Sequence, residues 1–469
     1  MLFSRSSCSF DLKRKFSSGG GEQDILNIFI DRYHEQSKHT GLLKDKRVAI
    51  KANFAVKGKQ LSAGSKMLEK VIAPYDSRVS QLLKEEGAIL IGSTNMDEFG
   101  MGSSTTHSAF GITPNPHRPP NTNGDFLFSS GGSSGGSAVS VATQCADIAI
   151  GSDTGGSVRL PAAYCGVVGM KGTYGSISRF GLIAYASSLD CPGIFANNVH
   201  DASLAFSVLS QHDPHNDSTS INNRYDHQTF VDQQQNDLSN LRIGLPIEYD
   251  IAELSDDVRE EWRDVVQLAQ ANGAQICPIS LPSTKYALPA YYIIAPAEAS
   301  SNLSRYDGVR YGYAHGSPTD YASYEDYIND NRIHGFGEEV KRRILVGTFV
   351  LSSKAYDSHY LQAQRVRDAI CKEFEQAFNR VDIMLVPTAP TTAPKIQDIL
   401  NSVDNPLQEY ANDVMTIPSS LAGLPSISIP ANPSKKTGLP IGLQLIANKY
   451  QERILFEKAS IFENIIKKR

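Results

Sequence analysis

Apolar residues in this chain fall into short runs separated by glycine, proline and polar turns. Val48-Ala49-Ile50 is an uninterrupted apolar run that stops at Lys51, which predicts a buried strand over residues 48–51. A glycine-containing loop, a helix over 78–86 and a strand over 88–91 follow in the rhythm of a mixed α/β sheet. Upstream, Ile25, Ile28, Phe29 and Tyr33 stand at helical spacing and predict a helix over 24–34. An apolar-periodic segment at 138–145 predicts another helix, and the short run at 148–150 another strand. In the second half the pattern predicts a strand over 241–245 and an amphipathic helix over 256–272. Strands over 426–430 and 442–446 flank a Gly438-Leu439-Pro440 turn, and a helix over 452–468 closes the chain. Pro114, Pro116, Pro119 and Pro120 predict a rigid loop. Residues 212–240 are polar and read as a surface connection between two halves. No internal repeat emerges.

At 469 residues the chain has length for about three average domains, yet large α/β enzymes often form one unit. One domain over 21–469 is therefore expected. Its 41% hydrophobic and 20% charged residues suit a globular protein. A net charge of −5 and a pI near 6.1 give no basic footprint, so RNA handling is expected to fall to a partner. Six scattered cysteines form no Cys-x-x-Cys pair and have no histidine at zinc spacing, so free thiols and no metal site are expected. No apolar run approaches the roughly 18 residues of a membrane span. Residues 1–20 carry Arg5, Lys13, Arg14 and Lys15 against Asp11 among many serines, which fits a mitochondrial targeting segment; a disordered basic tail is the alternative.

The densest chemistry lies between Gly131 and Lys171. Two glycine turns there present Ser133 and Ser157 beside exposed amides, the second turn running Asp153-Thr154-Gly155-Gly156. A flexible linker would not lead straight into an apolar run and a second turn ending in Ser-x-Arg. A phosphate-binding loop needs Gly-Lys-Ser/Thr, and no lysine occurs between Gly131 and Gly156. Ser157 is the candidate nucleophile, with the amides of Thr154, Gly155 and Gly156 as a candidate oxyanion hole.

The Gly/Ser block followed by Asp-x-Gly-Gly-Ser resembles the signature of the amidase-signature family of serine hydrolases, and Val48 to Asn53 fits that family's lysine-bearing strand. The resemblance implies a mixed central β-sheet flanked by helices, with Lys51 as base and Ser133 as the bridge that relays the proton of Ser157. Such a lysine must be neutral to work, which calls for burial. The blocks at 92–104, 174–190, 291–308, 335–343 and 386–390 are similar to one branch of the family, the A subunits of glutamyl-tRNA(Gln) amidotransferases. That likeness implies hydrolysis of glutamine and delivery of ammonia to a B-type partner subunit, with a small third subunit in the complex. ATP and Mg²⁺ would sit in the partner, through which tRNA would mainly bind. It also implies that Tyr291, Arg343 and Asp413 hold glutamine, the guanidinium taking the carboxylate and Asp413 the ammonium. Asp97, Asp153 and Arg159 would support these groups, with turn-capping the plainer role for Asp153. A free-standing amidase and a non-catalytic scaffold are the alternatives. Three departures from the pattern stand out: Ala52 where an acidic residue is usual, Gly172 where proline is usual, and a short segment before Lys51 that would leave surface open to an additional protein.

Overall fold

A computed structural model of the chain describes residues 26–118, 128–222, 225–228, 238–401 and 407–469. The proposed targeting segment, Pro119, Pro120 and Cys8 lie outside them. Among the described residues, eleven strands form one mixed sheet: β1 (Phe29–Gln36), β2 (Arg47–Lys51), β3 (Ile89–Thr94), β4 (Ile148–Asp153), β5 (Val168–Lys171), β6 (Cys191–Ala196), β7 (Arg242–Pro246), β8 (Gln275–Ile279), β9 (Ile383–Pro387), β10 (Ser426–Pro430) and β11 (Gly442–Ala447). Their spatial order is β1-β3-β2-β4-β6-β5-β10-β11-β9-β7-β8. The expected α/β class, a mixed central sheet flanked by helices, is what the structure has.

Strand composition explains the layering. Val48 and Ile50 enter one core layer with Ile148, Ile150, Met170 and Ile194. Ala49, Ala149 and Phe195 point to the opposite layer, where they meet Val139 and Val141 of the helix Gly135–Ala142. Both faces of the central strands are covered, which is why their sequences read as unbroken apolar runs. β2 runs parallel to β3 and β4, with Lys51 opposite Thr94 and Ile50 opposite Ile150. The carboxyl ends of these three strands therefore meet at one edge of the sheet, the place where open α/β sheets collect their ligands.

Residues 26–34 do not form the predicted helix. Phe29–Gln36 is instead a strand, antiparallel to β3 with Phe29 opposite Thr94 and Gln36 opposite Ile89. Pairing covers an edge whose backbone groups would otherwise stay open, while Ile28 and Tyr33 still become buried; that outweighs the helical spacing. Asp24 and Ile25 fall outside the described residues. The helix expected over 138–145 begins earlier, inside the Gly/Ser block, and ends at Ala142. The polar 212–240 stretch is seated rather than loose at its start: buried Asp213 accepts from the Ser178 hydroxyl at 2.8 Å and Asp217 from the Arg179 N–H at 2.8 Å. No helix among the described residues is long and apolar enough to cross a membrane. The five described cysteines are free thiols.

Candidate active site

Lys51 ends β2 and is fully buried. Its Nζ donates to Ser133 Oγ at 2.7 Å, Ser134 Oγ at 2.8 Å and Ser152 Oγ at 2.9 Å. An ammonium enclosed in this way is poorly solvated. Burial lowers the Lys51 pKa from 10.5 to about 7, against the opposing pull of the Asp97, Asp153 and Asp190 carboxylates. Ala52, where an acidic residue was expected, is buried, with its N–H on Thr94 O and its C=O taken by Ala63. Gly172 also has a local reason, since a Cβ there would collide with Ser176 Oγ and press on Phe206.

Ser133 follows a cis Gly132–Ser133 peptide and starts the turn that feeds the helix Gly135–Ala142. The loop beside it is fixed by Asp97, which accepts from the N–H groups of Thr105 at 2.9 Å and His107 at 3.0 Å. Thr105 in turn donates from Oγ1 to Gly131 O at 2.7 Å and accepts from Gly135 N–H. Asp97 thus supports the site both by holding this loop and by its charge, which opposes the lowering of the Lys51 pKa.

β4 delivers the second turn. Asp153 is fully buried, caps the helix Arg159–Cys165 through the Val158 N–H, and pairs with both Nε (3.0 Å) and an Nη (2.9 Å) of Arg159. Burial pushes its carboxyl up, but the Arg159 guanidinium outweighs that and holds it below the usual range. Asp153 is therefore more than a turn cap. Arg159 continues to Thr416 O, Ser419 Oγ, Ser420 Oγ and Gln444 Oε1, tying the turn to the segment that carries Asp413.

The turn itself is closely roofed. A Cβ at Gly155 would stand 2.8 Å from Tyr291 Cζ, and one at Gly156 would collide with Thr416 Oγ1 and approach Asp413 Oδ1 to 3.1 Å. The N–H groups of Gly155 and Gly156 have no acceptor among the described residues. Tyr291, Asp413 and the predicted oxyanion turn are thus brought together, with Ser157, only 7% exposed, directly after it.

Arg343 lies on the inner face of the helix Glu338–Val350, nearly buried. Its Nε donates to Glu339 Oε1 and an Nη to Tyr185 OH, both at 2.7 Å, and its guanidinium lies 5.2 Å from the Tyr292 ring and 5.4 Å from the Tyr410 ring. Asp413 Oδ1 is buried with no hydrogen-bond partner among the described residues, and burial pushes that carboxyl well above the ordinary range despite the nearby Arg343 charge. A buried, unpaired carboxylate oxygen beside a glycine turn calls for a cationic partner.

Sequence reasoning missed four residues that complete this site. Tyr185 orients Arg343, and Glu339 holds it from one helical turn away. Asp190 accepts from Thr154 Oγ1 at 2.7 Å and from the Tyr185 and Ala186 N–H groups at 2.9 and 3.0 Å, linking the oxyanion turn to the tyrosine on Arg343. Glu409 anchors the segment leading to Asp413. Only Glu339 left a readable trace, its i,i+4 spacing from Arg343.

Comparison with known proteins places the chain in a family. The amidase family pattern matches residues 29–456. The A subunit of glutamyl-tRNA(Gln) amidotransferase from Carboxydothermus hydrogenoformans is 46% identical over 435 residues, covering 92% of this chain and 86% of that protein. Its counterpart in Gloeothece citriformis is 47% identical with the same coverage. Among solved structures, the corresponding A subunit from Thermotoga maritima superposes with a TM-score of 0.75 at 36% identity, covering 92% of this chain and 85% of that one.

Proposed function

Because the chain belongs to the amidase family, we propose that it is the glutaminase subunit of a glutamyl-tRNA(Gln) amidotransferase. The observation that carries this reading is the pairing of a buried, hydroxyl-enclosed Lys51 with a glycine turn roofed by Tyr291 and the unpartnered Asp413.

Glutamine enters with its ammonium on Asp413 and its carboxylate toward Arg343, Tyr291 closing the space above Gly155. Neutral Lys51 takes a proton from Ser133, and Ser133 takes one from Ser157. The Ser157 Oγ forms a bond to the side-chain amide carbon, and the C=O electron pair moves onto oxygen. The N–H groups of the 154–156 turn receive that charge; one such donor is worth on the order of 100- to 1,000-fold in rate. Collapse breaks the C–N bond, the nitrogen takes up through Ser133 the proton that Ser157 gave and leaves as ammonia, and a glutamyl ester stays on Ser157. Water then repeats the sequence in reverse roles and releases glutamate.

The ammonia is passed to a B-type partner, where ATP, Mg²⁺ and tRNA bind, and a small third subunit completes the assembly. The basic, serine-rich residues 1–20 support work in the mitochondrial matrix. A free-standing amidase on an apolar amide is disfavoured, since such a substrate would leave Asp413 buried and unpaired. The test is ammonia release from glutamine by the purified chain, alone and with its co-purifying partners and glutamyl-tRNA(Gln). Release that rises with partners and acceptor is expected; hydrolysis of neutral amides with none of glutamine would overturn the reading.

A further inference from the structure

We propose that Glu409 and His107 form a clasp that positions Asp413 for the ammonium of glutamine. They act through Asp413 and not on the reacting atoms, so they are positioning residues. The inference rests on the glutamine reading and names the part of the site that sets its specificity.

The clasp joins two segments that meet at the substrate pocket. One is the loop 103–107, already seated on the catalytic side by the bonds of Thr105 and His107 to Asp97 and of Thr105 to Gly131 and Gly135. The other is the short helical stretch Leu407–Tyr410 and Ala411–Asp413, which ends in the orphaned carboxylate oxygen. Glu409 fastens the two. Its Oε1 accepts from Ser104 Oγ at 2.7 Å and Ser103 N–H at 3.2 Å, its Oε2 contacts His107 Nε2 at 2.9 Å, and its backbone O accepts from Ser103 Oγ at 3.0 Å. The Glu409 side chain is 10% exposed and that of His107 31%. A residue this enclosed, bonded from one loop through both its carboxylate and its backbone, fixes the start of the stretch.

The far side of Asp413 is fixed independently, since Arg159 holds Thr416 O. Between the anchors, Tyr410 OH donates to Glu339 Oε1 at 2.8 Å and its ring stacks on Tyr292 at 4.0 Å, while Tyr164 OH reaches Asn412 at 3.4 Å. Release of Glu409 would therefore let the stretch shift at its upstream end while Thr416 stays in place. The Asp413 backbone O stays on the Thr416 N–H and Oγ1 at 3.0 Å, so it is the Asp413 side chain that would turn relative to Gly156. Ser133 and Lys51 would not move, because loop 103–107 keeps its own bonds to Asp97 and Gly131.

The prediction is a split between substrates. Glu409→Ala, Glu409→Gln and His107→Asn would be assayed in the assembled enzyme against glutamine and against a small neutral amide. For Glu409→Ala, kcat/KM for glutamine should fall about ten- to a hundredfold, the scale of a misplacement transmitted from outside the chemistry, chiefly through a rise in KM and by far more than kcat/KM for the neutral amide. Glu409→Gln keeps the acceptors for Ser103 and Ser104 and should give a smaller rise, as should His107→Asn; both guard against a misfolded Ala variant. Equal losses on both substrates, or an unchanged KM for glutamine, would overturn the clasp. A wild-type enzyme that cleaves the neutral amide but not glutamine would overturn the glutamine reading and the clasp with it.

Discussion

Replacing Lys51 with methionine should abolish catalysis and at the same time make the fold more stable at neutral and acid pH. The side chain is fully buried and its pKa is lowered from 10.5 to about 7, chiefly by burial. A depression of that size corresponds to about 5 kcal/mol of penalty on the protonated form in the native state. Methionine fills a similar volume and removes the penalty, but it cannot donate to Ser133, Ser134 and Ser152, at about 1 kcal/mol for each bond lost. A net gain of about 2 kcal/mol is expected at pH 6. The pH dependence has a definite sign. Between about 7 and 10.5 the unfolded chain keeps the lysine proton and the native chain has lost it, so the wild type gains stability as pH rises through that window. The advantage of Lys51→Met is therefore full below about pH 7 and shrinks by about 1.4 kcal/mol per unit above it. Urea unfolding of both proteins at pH 6, 7.5 and 9, followed by circular dichroism, measures the gap. A variant less stable than wild type at pH 6, or a gap that does not change with pH, would refute the reasoning.

The same lysine sets the activity profile: kcat/KM for glutamine should climb about tenfold per pH unit on the acid side and level off above about pH 7, measured as ammonia release in overlapping buffers. Arg343→Ala and Asp413→Ala should each raise KM for glutamine far more than KM for a small neutral amide, because each leaves one end of glutamine without its partner; equal effects would point to a structural role. Asp153→Asn should destabilise the fold by about 3–5 kcal/mol in urea titrations, since it breaks a fully buried pair and leaves Arg159 charged.

β2 and β4 were legible because both their faces are buried, so Val48-Ala49-Ile50 and Ile148-Ala149-Ile150 stand out as unbroken apolar runs, while β10 and β11 showed through the Gly438-Leu439-Pro440 turn that they flank. β1 was not, because its partner is remote in sequence: the spacing of Ile28, Phe29 and Tyr33 suits a helix, and only the open edge of β3 decides for a strand. The order that puts β10 beside β5 has no local signal for the same reason. In the site, Lys51, Ser133 and Ser157 were readable as motifs. Tyr185, Asp190 and Glu409 were not, since each works through long-range hydrogen bonds that a polar residue in a loop does not advertise.

Ser157 as the residue that carries the glutamyl group is the claim on which the mechanism depends. A glutamine analogue with a diazoketone in place of the side-chain amide would be reacted with the wild-type enzyme, and the labelled peptide mapped by mass spectrometry. One adduct on Ser157 is predicted, absent in Ser157→Ala and much slower to form in Lys51→Met. A label on Ser133 or a cysteine, with Ser157→Ala still releasing ammonia from glutamine, would contradict it.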